Sequence, residues 1–297
     1  PPNPPPPTPP KPPPTLTPTR TGAKGDPHLR FAHGGTADFR GKNNTVYAIL
    51  SAPCFSFAMR TRDADFLLPR PQLVHGSFFV DAFWTVRTRT SGTLLHIVSN
   101  AWTPGFALYN ATGDLIADHR GAVWREFRLE DVHIIGKQIS NVVRGAGYEA
   151  NVTRKPVYNS LHGATWRYDT AMRPLDDTPF EKAHGASGRK FIAPHGLIGQ
   201  SYDGDNVAVH GKMDDYSARS EVRTSAMAEG AIEGVAADYE VGPPHYADFA
   251  YSRFGKKQRT PPRDVSALLG KKVTTAGRLP AAETAERIVE LISRQRR

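Results

Sequence analysis

The chain has 297 residues, enough for one large domain or two small ones, and 39% of them are hydrophobic. The net charge is +9, but +7 of it falls within residues 256–297, so the remainder of the chain is nearly neutral. A single cysteine, Cys54, excludes an intrachain disulfide, and no apolar run reaches the ~18–20 residues that a membrane span needs.

The first 24 residues have the composition of a linker. Residues 1–14 contain 11 prolines, and proline fixes φ and lacks a backbone N–H. This stretch is therefore expected to form an extended polyproline II rod that continues more loosely to residue 24. Two interpretations are open: a plain linker, which the composition favours, or a stalk that serves as a wall anchor or a ligand for proline-binding domains.

Short apolar segments separated by Gly, Pro, Asn and Asp follow in residues 25–255, and they predict β-strands. Two of them flank Pro53-Cys54 as a hairpin would, and another pair flanks Ser91-Gly92. The predicted strands are residues 45–50, 55–60, 77–90, 93–100, 105–110, 122–129, 132–136, 138–143, 148–153 and 165–169. Many short antiparallel strands with turns between them predict an all-β sandwich or barrel-like fold.

The C-terminal part is less uniform. Residues 224–241 are ambiguous, because Ala and Glu favour a helix whereas Gly230 and Gly234 oppose it. Residues 256–297 form a basic tail, within which residues 280–294 have an apolar stripe and Glu-to-Arg pairs four residues apart. We therefore predict an amphipathic C-terminal helix at 280–294.

Two motifs stand a domain's length apart. The first, GDPHLRFAHGGTADFRG, supplies Gly25, Asp26, Pro27, His28, Phe31, Gly34, Asp38 and Phe39. The second, GLIGQSYDGD followed by MDDY, supplies Gly196, Leu197, Ile198, Gly199, Gln200, Asp203, Gly204, Asp205, Asp214, Asp215 and Tyr216. In this order and spacing the motifs resemble a von Willebrand factor type D domain over residues 25–216. Residues 195–202 also resemble the plant root-cap domain.

The resemblance implies a β-rich extracellular module with a calcium loop. Its predicted ligands are Asp38, Gln200, Asp203, Asp205, Asp214 and Asp215. Clustered carboxylates next to glycine turns suit calcium, which takes 6–8 oxygen ligands; the alternative is a solvated acidic turn. The family is rich in cysteine, whereas this chain has Ile198 in the family's cysteine position and Gln200 in place of its Asn. Disulfide-linked multimers are therefore not expected.

The first motif also allows backbone cleavage. In some members of this family the Gly-Asp-Pro-His stretch cleaves itself at the Asp-Pro bond. Here the Asp26 carboxylate would attack its own carbonyl carbon, and His28 would protonate the departing Pro27 nitrogen. The alternative, which most domains of this kind favour, is a structural role in which Asp26 caps or binds and Pro27 stiffens the chain.

The remaining chemistry-bearing residues give weaker signals. Three sequons, at Asn43, Asn110 and Asn151, favour secretion and N-glycosylation. His96 and His133 fall within predicted strands and are expected to be packed or hydrogen-bonded there. The tryptophans Trp102, Trp124 and Trp166 are expected in the core, and Cys54 is expected to be a small buried residue.

These observations predict a non-enzymatic structural or adhesion module, secreted or at the cell surface and stabilised by calcium. Its expected partners are wall or matrix polymers or proteins, and no membrane span is expected. A first alternative is a protein that processes itself at Asp26-Pro27. A second is a basic tail that binds nucleic acid or another anionic surface, which we rank last because Phe254 alone is available there for base stacking.

Overall fold

The computed structural model describes residues 20–69, 72–175, 194–203, 207–218 and 220–241. The predicted stalk before residue 20, the basic tail and its helix at 280–294 lie outside the described residues. Within the described residues the chain forms two β-sheets packed face to face, so the all-β sandwich prediction is confirmed. No helix in the described ranges is long and apolar enough to cross a bilayer.

The first sheet has eight strands in the order β10-β11-β12-β13-β15-β1-β2-β3, all neighbours antiparallel. Its strands are β1 (Thr21–Lys24), β2 (His28–Arg30), β3 (Thr36–Asp38), β10 (Trp124–Leu129), β11 (Val132–Lys137), β12 (Ser140–Gly145), β13 (Tyr148–Pro156) and β15 (Trp166–Pro174). Since β1 begins at Thr21, the sheet already includes the last residues of the predicted stalk.

The second sheet is built on two long strands, β5 (Phe55–Leu68) and β6 (Gln72–Arg87). Its main order is β14-β5-β6-β7-β8-β9, with β4 pairing with β5 and a short strand, β16, pairing in parallel with β6. The other strands are β4 (Val46–Ala52), β7 (Leu94–Asn100), β8 (Thr103–Tyr109), β9 (Leu115–Asp118), β14 (Ser160–Gly163) and β16 (Glu221–Arg223).

A main hydrophobic core lies between the sheets. Trp84 stacks on Phe57 with ring centroids 5.1 Å apart, and neither side chain reaches solvent. Cys54 is buried in the turn between β4 and β5, as predicted, although its φ of 67° is a left-handed conformation that the sequence did not indicate. Because the chain cannot form an intrachain disulfide, burial of apolar side chains of this kind is the main force that drives its folding.

The fold shows that the core position predicted for Trp124 is wrong, and it resolves the ambiguous stretch 224–241. Trp124 was expected in the core and is 52% exposed, because it opens the edge strand β10. The ambiguous stretch 224–241 contains a single short 3₁₀ helix, Ala236–Tyr239, and is otherwise irregular. Gly230 and Gly234 both have positive φ, which explains why the stretch does not continue as an α-helix.

The two lateral sides of the sandwich differ. On one side later segments cover both sheet edges: Asp38 of β3 donates its N–H to the Lys212 carbonyl (3.0 Å), and Ser51 of β4 exchanges two backbone hydrogen bonds with His195, each 2.7 Å. On the opposite side the sheets end at β9 and β10, and no strand of the described residues pairs with their outer edges.

Candidate functional site

The first motif forms the tight hairpin between β1 and β2. Lys24 pairs with His28, so Gly25, Asp26 and Pro27 make the turn, and Gly25 supplies the positive φ (72°) that it requires. The Gly25 N–H donates to the Asp169 carboxylate (3.1 Å), which ties the turn to β15. The Asp26-Pro27 bond therefore lies in a sharply bent, firmly held part of the backbone.

Asp26 points from this turn toward β6 and is 8% exposed. Its Oδ1 accepts the Ser77 N–H (2.8 Å), and its Oδ2 accepts the Tyr216 hydroxyl (3.1 Å). The carboxylate lies directly over Gly76, where an added Cβ would come within 2.4–2.6 Å of it. A glycine at position 76 is therefore required for Asp26 to reach its partners.

Burial raises the pKa of the Asp26 carboxyl from 3.8 to about 6. The hydrogen bonds from Ser77 and Tyr216 and the charge of His28 oppose this shift, and the nearby Asp214 carboxylate adds to it. Burial, together with the Asp26 charge, also raises the pKa of the Tyr216 hydroxyl, so this group remains a proton donor. Asp26 is thus a carboxyl group that can gain or lose its proton near neutral pH.

His28 and Asp38 form a second pair beside Asp26. The Nδ1 atom of His28 lies 2.5 Å from Oδ1 of Asp38, which is buried, while the imidazole itself is 49% exposed. The His28 ring lies 6.1 Å from the Tyr216 ring, centroid to centroid. The carboxylate therefore fixes the orientation of an imidazole that remains open to solvent at the rim of the Asp26 site.

The MDDY part of the second motif packs against the first motif. The Asp214 N–H donates to Oδ2 of Asp38 (2.8 Å), and the Asp214 carboxylate accepts the N–H groups of Ser225 (2.7 Å) and Ala226 (3.0 Å). The two motifs are therefore joined by direct hydrogen bonds at Asp38–Asp214 and Asp26–Tyr216, pairs that are 176 and 190 residues apart in sequence. We call Asp26, His28, Asp38, Asp214 and Tyr216 the motif junction.

The other predicted calcium ligands are placed elsewhere. The Gln200 carboxamide donates to the Leu197 carbonyl (3.0 Å) and accepts the Glu233 N–H and the Tyr239 hydroxyl, both at 3.0 Å. Asp215 caps its own turn through the Ser217 N–H (2.8 Å). Asp203 is at the end of its described segment, and Asp205 lies outside the described residues.

The positions of the predicted ligands decide whether they could bind one calcium ion together. Oxygens of Asp38, Asp214 and Gln200 accept protein hydrogen bonds, and Gln200 does so with partners outside the motif junction. Within the described ranges no three His, Cys, Asp or Glu side chains are grouped as metal ligands. The described ligands thus do not converge on one cation, and calcium binding around Asp203 and Asp205 stays a prediction.

The GLIG turn has a clear structural role. Gly196 has φ 105° and packs against Ile49, where an added Cβ would lie 2.7 Å from the backbone. Leu197 and Ile198 are completely buried and donate their N–H groups to β4. Ile198, in the position of the family's cysteine, is therefore a core residue that closes the outer edge of β4.

The three sequons differ in accessibility. Asn43 is exposed in the turn before β4, and Asn110 lies in the turn after β8, as the sequence predicted. Asn151 lies within β13, which is paired on both sides, and its side chain accepts the Ala171 N–H (3.1 Å). Glycosylation stays a prediction for all three, and the two turn positions are the more accessible acceptors.

Two histidines are hydrogen-bonded within strands, as expected. Nδ1 of His96 lies 3.0 Å from the Thr85 hydroxyl, and burial lowers the pKa of His96 to about 4. His133 lies 2.7 Å from the Glu126 carboxylate. Gly76 and Ser77 are site residues that the sequence analysis missed. The predicted strand began at residue 77, whereas β6 begins at Gln72 and has Gly76 in its interior, where a glycine often marks the close approach of another group.

A scan against protein-family models and a search of curated proteins find no match. The resemblance to the type D domain therefore stays a prediction that rests on the motif residues of the sequence.

Proposed function

We propose that this chain is a non-enzymatic structural module that works outside the cell or at its surface, in adhesion or matrix assembly. The observation that carries the proposal is that the acidic motif residues form hydrogen bonds with the backbone of other segments. Asp26, Asp38 and Asp214 direct carboxylate oxygens to backbone N–H groups at Ser77, Asp214, Ser225 and Ala226. Groups arranged in this way join distant segments of a fold, since each carboxylate accepts a backbone N–H from another part of the chain.

The proposal explains why distant segments carry the motifs. The motif junction connects the β1–β2 hairpin, the long strand β6 and the segment that covers β3. A rigid sandwich closed in this manner suits a load-bearing or adhesive module. Wall or matrix polymers and proteins are the proposed partners, in agreement with the exposed sequon at Asn43 and the proline-rich N-terminal residues.

The test measures binding and turnover together. The whole chain is incubated with insoluble wall polymers, and both the bound protein and any soluble sugar released are quantified. We expect retention without release. Sugar release that is abolished by His28→Ala would contradict the structural proposal. Asp38→Ala is expected to lower the free energy of unfolding by about 1–3 kcal/mol, because it leaves the Asp214 N–H without its acceptor and His28 without its carboxylate partner.

A second candidate, cleavage at Asp26-Pro27, is favoured by one specific observation. The Asp26 carboxyl is buried in the turn, has a pKa of about 6 and lies beside the oriented His28. Its oxygen would attack the carbonyl carbon of Asp26 to form a cyclic anhydride. The Pro27 nitrogen would leave after protonation from the imidazolium of His28, and water would then hydrolyse the anhydride to two carboxyl groups.

This candidate is tested by mass spectrometry of protein denatured after incubation between pH 4 and 8. Denaturation matters because β1 pairs with both β2 and β15 and would hold a cleaved fragment in place. A new N-terminus at Pro27 that disappears in Asp26→Ala and forms more slowly in His28→Ala would support cleavage. An intact chain at every pH value would eliminate it.

A further inference from the structure

The outer edge of β10 has the features of a pairing surface. β10 ends the first sheet, and no strand of the described segments pairs with its outer side. Four apolar side chains around this edge and the neighbouring β9 are at least 46% exposed: Leu115, Ile116, Val123 and Trp124. Exposed apolar groups next to an unpaired strand edge mark a site where another chain can bind.

The backbone of β10 presents alternate residues to this edge. β10 and β11 form a hairpin closed by the pair Leu129–Val132 around a two-residue turn. In such a hairpin the closing pair exchanges both backbone hydrogen bonds, and residues alternate along the strand. Trp124, Glu126 and Arg128 therefore direct their N–H and C=O groups outward. In agreement, the Trp124 carbonyl accepts a hydrogen bond from the Arg125 guanidinium (2.8 Å).

We propose that the chain forms a two-fold symmetric dimer in which β10 pairs antiparallel with β10 of a second copy. With the axis at Phe127, Glu126 of each copy lies opposite Arg128 of the other, and both are residues whose backbone groups face outward. The two sheets then continue into one sheet that crosses the interface. The occupant of this edge is a second copy of the chain.

Charge complementarity selects this partner and this register. Antiparallel pairing about Phe127 creates two Glu–Arg pairs, whereas an axis one residue earlier places Glu126 opposite Glu126. Glu126 already contacts Arg128 and His133 of its own chain, so the dimer would assemble two carboxylates and two guanidinium groups into one cluster.

The apolar side chains extend the contact on either side of the strand pair. Phe127 and Leu129 face the core of their own copy, and Phe127 of the two copies would adjoin across the axis. Leu115 and Ile116 of β9, which ends the second sheet, and Val123 in the loop before β10 are exposed as well. A dimer that covers them would remove their apolar surface from water, which favours association.

The inference is independent of the function proposed above. The motif junction involves β2 and β3, at the opposite end of the first sheet from β10. A failure of the dimer therefore leaves the structural proposal intact, and cleavage at Asp26 would leave the dimer intact.

The experiment compares the whole wild-type chain with Glu126→Arg and Arg128→Glu by sedimentation equilibrium up to about 100 μM. Glu126→Arg places arginines at both positions, and Arg128→Glu places glutamates at both, so each variant repels its own copy. We expect each single variant to raise the dimer dissociation constant at least about tenfold. An equimolar mixture pairs opposite charges at both positions and is expected to restore dimerisation.

A matched control comes from β16, which carries the same ion pair two residues apart. Glu221→Arg and Arg223→Glu disrupt the exposed pair Arg223–Glu221 (2.6 Å) away from β10 and should leave association unchanged. Recovery in the mixture can occur only if both single variants are folded, so a folding defect cannot imitate it. A monomeric wild type at 100 μM, a dimer unaffected by both β10 variants, or a mixture that stays monomeric would overturn the proposal.

Discussion

Asp26→Asn is predicted to make the protein more stable at neutral pH. The Asp26 carboxyl is buried between Gly76, Ser77 and Tyr216, and its pKa is raised from 3.8 to about 6, chiefly by burial. A carboxyl group with a raised pKa is held more favourably in its protonated form. Asn has nearly the shape of the protonated carboxyl and cannot ionise, so it removes the cost of burying the charge.

The direction in which the stability contribution of Asp26 changes with pH follows from proton binding. The folded state binds the Asp26 proton more tightly than the unfolded state, whose pKa is 3.8. The contribution of this group to stability is therefore full below pH 3.8 and is lost as pH rises through about 6. A shift of about two pKa units corresponds to about 3 kcal/mol at pH 8.

The expected gain is smaller than the full linkage energy. The Asn side-chain oxygen can still accept the Ser77 N–H, but its amide nitrogen faces the Tyr216 hydroxyl, which must then act as acceptor. We therefore expect Asp26→Asn to raise the free energy of unfolding by about 1–3 kcal/mol at pH 8, with no gain at pH 4.

The assay is urea denaturation of both proteins at each pH from 4 to 8. The measured quantity is the difference in unfolding free energy between variant and wild type, which cancels the other titrating groups. Asp118→Asn is the matched control, because a hydrogen bond from Arg120 lowers the pKa of Asp118 below 3.8, so its contribution changes only below about pH 4 and the difference should stay nearly constant between pH 4 and pH 8. A difference for Asp26→Asn that is equal at pH 4 and pH 8 would refute the reasoning.

Three further predictions concern other parts of the fold. His96 is buried and its pKa falls from 6.5 to about 4, so its contribution to stability is present above pH 6.5 and is lost toward pH 4; by linkage the loss is about 3 kcal/mol, and His96→Gln should flatten this part of the pH–stability curve measured in urea. Gly76→Ala is expected to lower the unfolding free energy by about 2–4 kcal/mol, because its Cβ would collide with the Asp26 carboxylate. The loss should be smaller in an Asp26→Ala background, and equal losses in both backgrounds would exclude the collision. If the loop around Asp203 and Asp205 binds calcium, the ion should raise the melting temperature of wild type by several degrees but not that of the double alanine variant, with chelator as the reference; an unchanged melt would remove the cation site.

Local pattern predicted much of the sandwich. The segments around Pro53-Cys54 and Ser91-Gly92 form the expected hairpins, because strand residues and turn residues are encoded next to each other. The parallel pairing of β16 with β6 could not be predicted in this manner, since its partners are about 150 residues apart. The same limit applies to the strand order of the first sheet, in which β1 lies between β15 and β2.

The sequence identified several residues of the candidate site but not the hydrogen bonds between them. The motifs identified Asp26, Asp38 and Asp214, yet only the fold shows that Tyr216 binds Asp26 and that Asp214 binds Asp38. Gln200 was grouped with the acidic residues because it stands where the calcium loop of the family has Asn, and a carboxamide oxygen can bind a cation. Its carboxamide instead binds the Glu233 N–H and the Tyr239 hydroxyl, in a segment with no strand pattern to reveal it.

The position of β1 has a mechanical consequence. The N-terminal residues enter the sandwich at this strand, which is hydrogen-bonded along its length to β15 on one side and to β2 on the other. Hydrogen bonds between antiparallel strands lie perpendicular to the strand direction, so tension applied along β1 strains all of them together. The chain therefore resists extraction from its N-terminal end in shear, the loading geometry in which a short strand withstands the greatest force.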